Sequence, residues 1–161
     1  MLEESEFNCP YDVFPYGLQG TNTDVSFPTN DIDGTRLHPK GMVLGIRIGE
    51  TSKVYPISRL SQAIPVINDR VGNMDVVTTG GSGDNFAVVY NRQLEDCSIL
   101  DFSPVENKLP IAMIDNGGTE WDMLGTALGG PRVGKQLQKT NSFIAYWLAS
   151  IAFFAGAQIY E

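Results

Sequence analysis

Hydrophobic and polar positions alternate through the middle of the chain and merge into one apolar run near its C-terminal end. Val43-Leu44-Gly45-Ile46-Arg47-Ile48, a turn over residues 49–52, and Lys53-Val54-Tyr55-Pro56-Ile57 predict a first hairpin. Ser58-Arg59-Leu60-Ser61-Gln62 predicts one helical turn. Val66-Ile67-Asn68-Asp69-Arg70-Val71, the pair Gly72-Asn73 and residues 74–79 predict a second hairpin, because Gly-Asn suits the positive φ that tight turns need. Further strands are predicted over residues 86–91, 97–102, 109–115 and 119–124, followed by a Gly-rich stretch over residues 125–134.

The C-terminal run differs. Residues 142–154 are predicted as one helix, capped by Asn141 or Ser142 and ended by Gly156. It is apolar nearly all round, the mark of a buried helix or a membrane segment. The run over residues 143–157 falls short of the ~20 residues a spanning helix needs. No basic anchor follows it, which argues against membrane insertion. The fold class expected is therefore α+β: mostly antiparallel β-sheet with one buried C-terminal helix.

Charge divides the chain. Of a net −8 over 161 residues, residues 1–40 hold seven acids and two bases, a balance of −5. Nothing charged occurs from Thr140 through Tyr160. Four X-Pro steps (Cys9-Pro10, Phe14-Pro15, Phe27-Pro28, His38-Pro39) bias the leader toward extended backbone. Phe7, Tyr11, Phe14, Tyr16 and Phe27 make it too aromatic for a free tail. Residues 1–41 are thus expected to form an extended acidic and aromatic arm, and residues 42–161 a single α+β domain. The acidity argues against a nucleic-acid partner, which calls for a basic footprint. Met1-Leu2-Glu3-Glu4-Ser5-Glu6 is acidic where a signal peptide starts basic. Cys9 and Cys97 permit one disulfide without demanding it.

Several segments, taken in order, resemble the uncharacterised prokaryotic family called domain of unknown function 3179. The residues that carry the resemblance are Val43 to Gly49 with Val54-Tyr55-Pro56-Ile57, then Val66-Ile67-Asn68-Asp69 with Val71-Gly72, then Ala87-Val88-Val89-Tyr90-Asn91-Arg92. A fourth set joins Asp115, Thr119, Trp121, Gly125, Ala127, Gly130, Pro131, Gly134 and Leu137 in the family's Trp to Gly-Pro-x-x-Gly-Lys order. A fifth runs from Ser142-Phe143 through Trp147 to Ile159-Tyr160-Glu161. Together these cover residues 42–161 and leave the leader outside. The family pattern sets a His before Val-Asn-Asp and a Cys-Pro-x-Cys-Gly stretch before the third segment. This chain has Ile64 at the first place and Thr79-Gly80-Gly81-Ser82-Gly83-Asp84-Asn85 at the second. The resemblance thus implies a copy without those imidazole and thiol groups, and, since relatives are often exported, a periplasmic or secreted place.

The candidate chemistry is sparse. Gly81, Ser82, Gly83, Asp84 and Asn85 form the most unusual local stretch, readable as a backbone nest for an anion or small ligand. They read more simply as a turn filling the space of a lost cysteine loop. No Walker or nucleophile-elbow pattern is complete there. His38 is the only histidine and has no triad spacing to Ser82. No metal site or cofactor is expected from one His and two distant Cys; Asp24, Asn30, Asp31 and Asp33 read as turn residues. Glu120 and Asp122, on one strand face, are a weak acid pair. No catalytic residue is assigned. The function expected is a non-catalytic structural or binding module of a larger assembly, which meets a protein partner or a second copy through the N-terminal arm. The alternative is a small-ligand or anion binder, or an enzyme, using the Gly80-to-Asn85 stretch.

Overall fold

A computed structural model describes residues 36–60, 66–81, 83, 86–154 and 156–161. Among the described residues the chain is β-rich and mostly antiparallel, with one short helix near its C-terminal end. The first hairpin pairs β1 (Met42–Ile48) with β2 (Thr51–Pro56), and a single 3-10 turn at Ile57–Arg59 follows. The second pairs β3 (Val66–Val71) with β4 (Met74–Gly81). Its two-residue turn is the one expected: Val71 faces Met74, and Gly72 takes φ 59°. Next come β5 (Phe86–Asn91), β6 (Phe102–Pro104), β7 (Ile111–Asp115), β8 (Glu120–Asp122) and β9 (Ala127–Gly129). The chain closes with β10 (Ser142–Tyr146), α1 (Trp147–Phe153) and β11 (Gln158–Ile159).

The strands form three sheets, ordered β10-β1-β2-β11, β3-β4-β5 and β6-β7-β8-β9. Alternation explains how they pack. On β3 to β5, Val66, Val77, Val88 and Tyr90 point to a core shared with Phe102, Met113 and Trp121 of the third sheet. Ile67, Val71, Val76, Ala87 and Val89 point the other way, to Leu44, Ile46 and Tyr55 of the first sheet. The middle sheet is therefore buried on both faces, which is why its strands read as near-continuous apolar runs. The outer face of β1 and β2 puts Val43 and Val54 against Trp147 and Ile151 of α1.

The C-terminal run is where expectation and structure part. Residues 142–146 form strand β10, not the first half of a helix, and pair with β1 from Met42↔Tyr146 to Ile46↔Ser142. The helix has only seven residues, and neither Asn141 nor Ser142 caps it; Tyr146 stands at its N-cap with no side-chain cap bond. The pairing itself decided against a helix: Phe143 lies opposite Gly45, whose missing side chain leaves room for the ring. A short apolar run cannot be assigned to strand or helix by periodicity alone. Trp147 and Ile151 are buried, as expected of the helix, while Phe153 is exposed.

The strand expected over residues 97–102 is also absent. The Asp96 carboxylate accepts from the Ser98 amide (2.9 Å) and hydroxyl (2.5 Å), and Cys97 takes φ 64°. Left-handed backbone at Cys97 cannot continue a strand. β6 therefore starts only at Phe102. The last described residues of the leader lie on the chain's own body. Arg36 sits 5.3 Å from the Trp147 ring centroid and donates to the Ala157 carbonyl. The Gly41 and Pro39 carbonyls accept from the Trp147 and Leu148 amides. Among the described residues, no helix is long and apolar enough to cross a membrane.

Candidate functional site

A concavity of about 740 Å³ lies between two irregular segments that flank the third sheet. One wall follows β5 and carries Asn91, Gln93, Glu95 and Asp96; the other carries Arg132 and Lys135. The first wall turns tightly because Cys97 donates its amide to the Leu94 carbonyl (3.0 Å) and Leu94 donates to Ser98 (2.9 Å). The second is built by the glycines that follow β9. Gly130 (φ 89°) leads into the Pro131-Arg132 turn, and a Cβ there would lie 2.5 Å from the Gly118 carbonyl oxygen. Gly134 (φ 84°) brings its amide back to Ala127 (2.9 Å). The walls are tied at the base, where the Asn91 amide donates to the Gln138 carbonyl (2.9 Å).

Arg132 is held from behind. Its Nη1 meets both oxygens of Asp115 (3.5 and 3.3 Å) and the Thr119 hydroxyl (3.4 Å). Asp115 is buried and also accepts from the Gly117 amide (2.7 Å), the Thr119 amide (3.0 Å) and Trp121 Nε1 (3.1 Å). One guanidinium nitrogen is thus fixed by a buried carboxylate, while the side chain stays partly open to the groove. Lys135 and Glu95 are exposed and make no ion pair among the described residues. Asp96 lies below the ordinary carboxylate range, mainly because of its two bonds from Ser98, with a smaller contribution from the Arg132 charge.

A second polar knot joins the first and middle sheets. Tyr55 donates its hydroxyl proton to Asp69 Oδ2 (2.8 Å), which also meets Lys53 Nζ (2.6 Å). The Lys53 ammonium lies 5.8 and 5.6 Å from the ring centroids of Tyr55 and Tyr160. Burial raises Asp69, but Lys53, the Arg70 amide and the Tyr55 hydroxyl outweigh it and hold the carboxyl below its ordinary value. Burial first, then Asp69, pushes the Tyr55 phenol far above its own. Arg92, also buried, meets Asp101, Asp75 (3.6 Å) and the Leu100 carbonyl (3.0 Å).

These knots join residues from separate sequence segments: Tyr55 with Asp69, and Asp115 with Thr119 and Trp121. A family model described as protein of unknown function (DUF3179) matches residues 1–157. The chain belongs to that family. Its match begins at the first residue, so the leader, expected to lie outside the resemblance, falls inside it. No curated protein and no solved structure matches the chain.

Gly81, the first residue of the stretch singled out from sequence, lies away from the groove of this DUF3179 chain. Gly81 ends β4 opposite Phe86, and Gly83 lies in the turn; Ser82, Asp84 and Asn85 lie outside the described residues. Phe86 and Asn91 begin and end the same strand, so Gly81 and the groove are about 17 Å apart along β5. Cys97 is exposed, while Cys9, its considered disulfide partner, lies outside the described residues, as do Asp24, Asn30, Asp31 and Asp33. Among the described residues, no group of three or more His, Cys, Asp or Glu could hold a metal ion. Glu120 and Asp122 serve local structure: Glu120 meets Lys108, and Asp122 accepts the Thr126 amide (2.7 Å). His38 borders a separate, smaller cavity of about 310 Å³. Sequence reading did not single out Arg132 and Lys135, which line this groove. The signal was there in the order Gly-Pro-Arg-Val-Gly-Lys, whose glycines explain a turn but whose cations do not.

Proposed function

We propose that this chain is a non-catalytic binding module of a larger assembly, with the groove between Asn91–Asp96 and Arg132–Gln138 as its ligand-facing site. The observation that carries the reading is a division of labour among polar residues. Asn68, Asp69, Arg92 and Asp115 are committed to backbone groups and to neighbouring side chains, whereas Arg132, Lys135 and Glu95 offer capacity to the groove. The volume falls in the range usual for small-ligand sites, and eight of its nine lining residues are polar or charged.

A panel of charged and neutral polar compounds, titrated into isotope-labelled protein and followed by NMR, tests the site. Binding should shift the amides of Gln93 to Asp96 and of Arg132 to Gln138. Shifts gathered on Gly81 and Phe86 would instead favour a site at the Gly80-to-Asn85 stretch, and conversion of a compound would overturn the non-catalytic reading.

The leader is the segment we assign to attachment. It holds −5 of the chain's net −8, and Arg36, its first described residue, lies over the Trp147 ring. Light scattering on the full chain should give a mass above the monomer's; a monomer mass at every concentration would sink self-association.

A further inference from the structure

The groove's charges are arranged by sign. Arg132 and Lys135 stand on one wall, Glu95 and Asp96 on the other. Their formal charges cancel, and Asp115 sits behind Arg132 with one more negative charge. A ligand of single charge therefore gains little from one wall that it does not lose to the other. A ligand with two opposite poles gains from both, because each pole can face the wall of opposite sign. The remaining lining agrees. Asn91, Gln93 and Gln138 supply amide donors and acceptors suited to peptide groups, and no aromatic platform for a sugar ring is present among the lining residues. Arg132 is pre-positioned, since Asp115 and Thr119 hold Nη1 and leave the rest of its planar fork for a carboxylate.

We propose that the groove binds a zwitterion of the amino-acid or short-peptide class, its carboxylate against Arg132 and Lys135 and its ammonium against Glu95. The proposal rests on the groove being the ligand-facing site, and it adds the ligand's chemistry. Recognition is of charge separation more than of side chain, because Leu94 is the only apolar residue in the lining.

NMR titration of the full chain at low salt tests this with five probes: glycylglycine, triglycine, acetate, methylammonium and inorganic phosphate. One of the two peptides should bind saturably at the groove, about threefold or more tighter than any singly poled probe. Lys135→Gln and Glu95→Gln should each weaken that peptide about threefold, with amide shifts elsewhere unchanged. Both side chains are exposed and make no ion pair among the described residues, so these variants keep the fold. Acetate or phosphate binding as tightly as both peptides would overturn the zwitterion while leaving the groove as the site. So would peptide binding indifferent to both substitutions. If no probe shifts the groove while other compounds bind at Gly81 and Phe86, both readings fall.

Discussion

Asn68 grips the backbone of Phe102 on both sides: its Nδ2 donates to the Phe102 carbonyl (2.7 Å), and its Oδ1 accepts from the Phe102 amide (2.9 Å). That pair of bonds ties the middle sheet to the start of β6, in place of a strand-to-strand ladder. Asn68→Ala removes both and leaves two backbone groups unsatisfied, an expected loss of about 2–3 kcal/mol. Asn68→Asp should cost at least as much, since a carboxylate has no proton for the carbonyl. Urea unfolding measures both; a change under about 0.5 kcal/mol, the range of ordinary surface substitutions, would show that the clamp is dispensable.

Asp115 gathers more donors than an amide could serve. Its oxygens accept from two backbone amides, an indole N–H and Arg132, all around a buried carboxylate. Asparagine has a single acceptor oxygen, so Asp115→Asn turns an N–H toward another donor. The expected cost is about 2–3 kcal/mol, the scale for leaving a buried polar group unsatisfied. Arg132→Gln should cost less, because three neutral donors still satisfy the carboxylate. Equal losses in the two variants, read from urea midpoints, would refute the view that Asp115 is the centre of the knot.

The hairpins were legible because their information is local: alternation sets the faces, and Gly72 sets the turn. The β10 strand was not, because what makes Ser142–Tyr146 a strand is β1, nearly the whole domain away in sequence. Nothing inside the run distinguishes a buried helix from a strand seated on Gly45. The groove was hidden for a related reason. It needs Glu95 and Arg132 on facing walls, and Arg132 is aimed only once Asp115 has folded beneath it. Composition drew attention to the glycines at Gly80 and Gly81, where the physical cause at Gly80 is backbone contact.

That cause is testable with two neighbouring substitutions. A Cβ on Gly80 would stand 2.3 Å from the Phe86 carbonyl oxygen and 2.7 Å from the Ala87 Cα, whereas one on Gly81 meets nothing within 4 Å. Gly80→Ala must push β4 and β5 apart and should cost about 2–4 kcal/mol. Gly81→Ala should be neutral, or stabilising by up to about 1 kcal/mol through the unfolded chain. Similar melting shifts for both would mean that β5 is not as closely seated as the structure has it.

Titration should limit stability at both ends of the pH scale, with opposite causes. Asp69 is held below its ordinary pKa in the fold, so its contribution is complete above about pH 4 and disappears as pH falls through the lower folded value. Lys53→Met removes the ammonium that holds it there and should flatten the acid limb. Tyr90 behaves in reverse: burial, then the Asp122 charge, pushes its phenol up to about 12. The unfolded chain therefore ionises first, and stability declines from about pH 10 as pH rises through the folded value. Tyr55, shifted upward for the same leading reason, adds to that alkaline limb. Tyr90→Phe gives up the bond to the Met123 carbonyl (3.0 Å) and lowers stability at neutral pH. It should also make the alkaline decline shallower. Urea unfolding across the pH range, with phenolate absorbance followed in parallel, separates the two effects. If phenolate signal from these buried tyrosines developed near pH 10 in a chain that stayed folded, the buried setting assigned to Tyr55 and Tyr90 would be wrong.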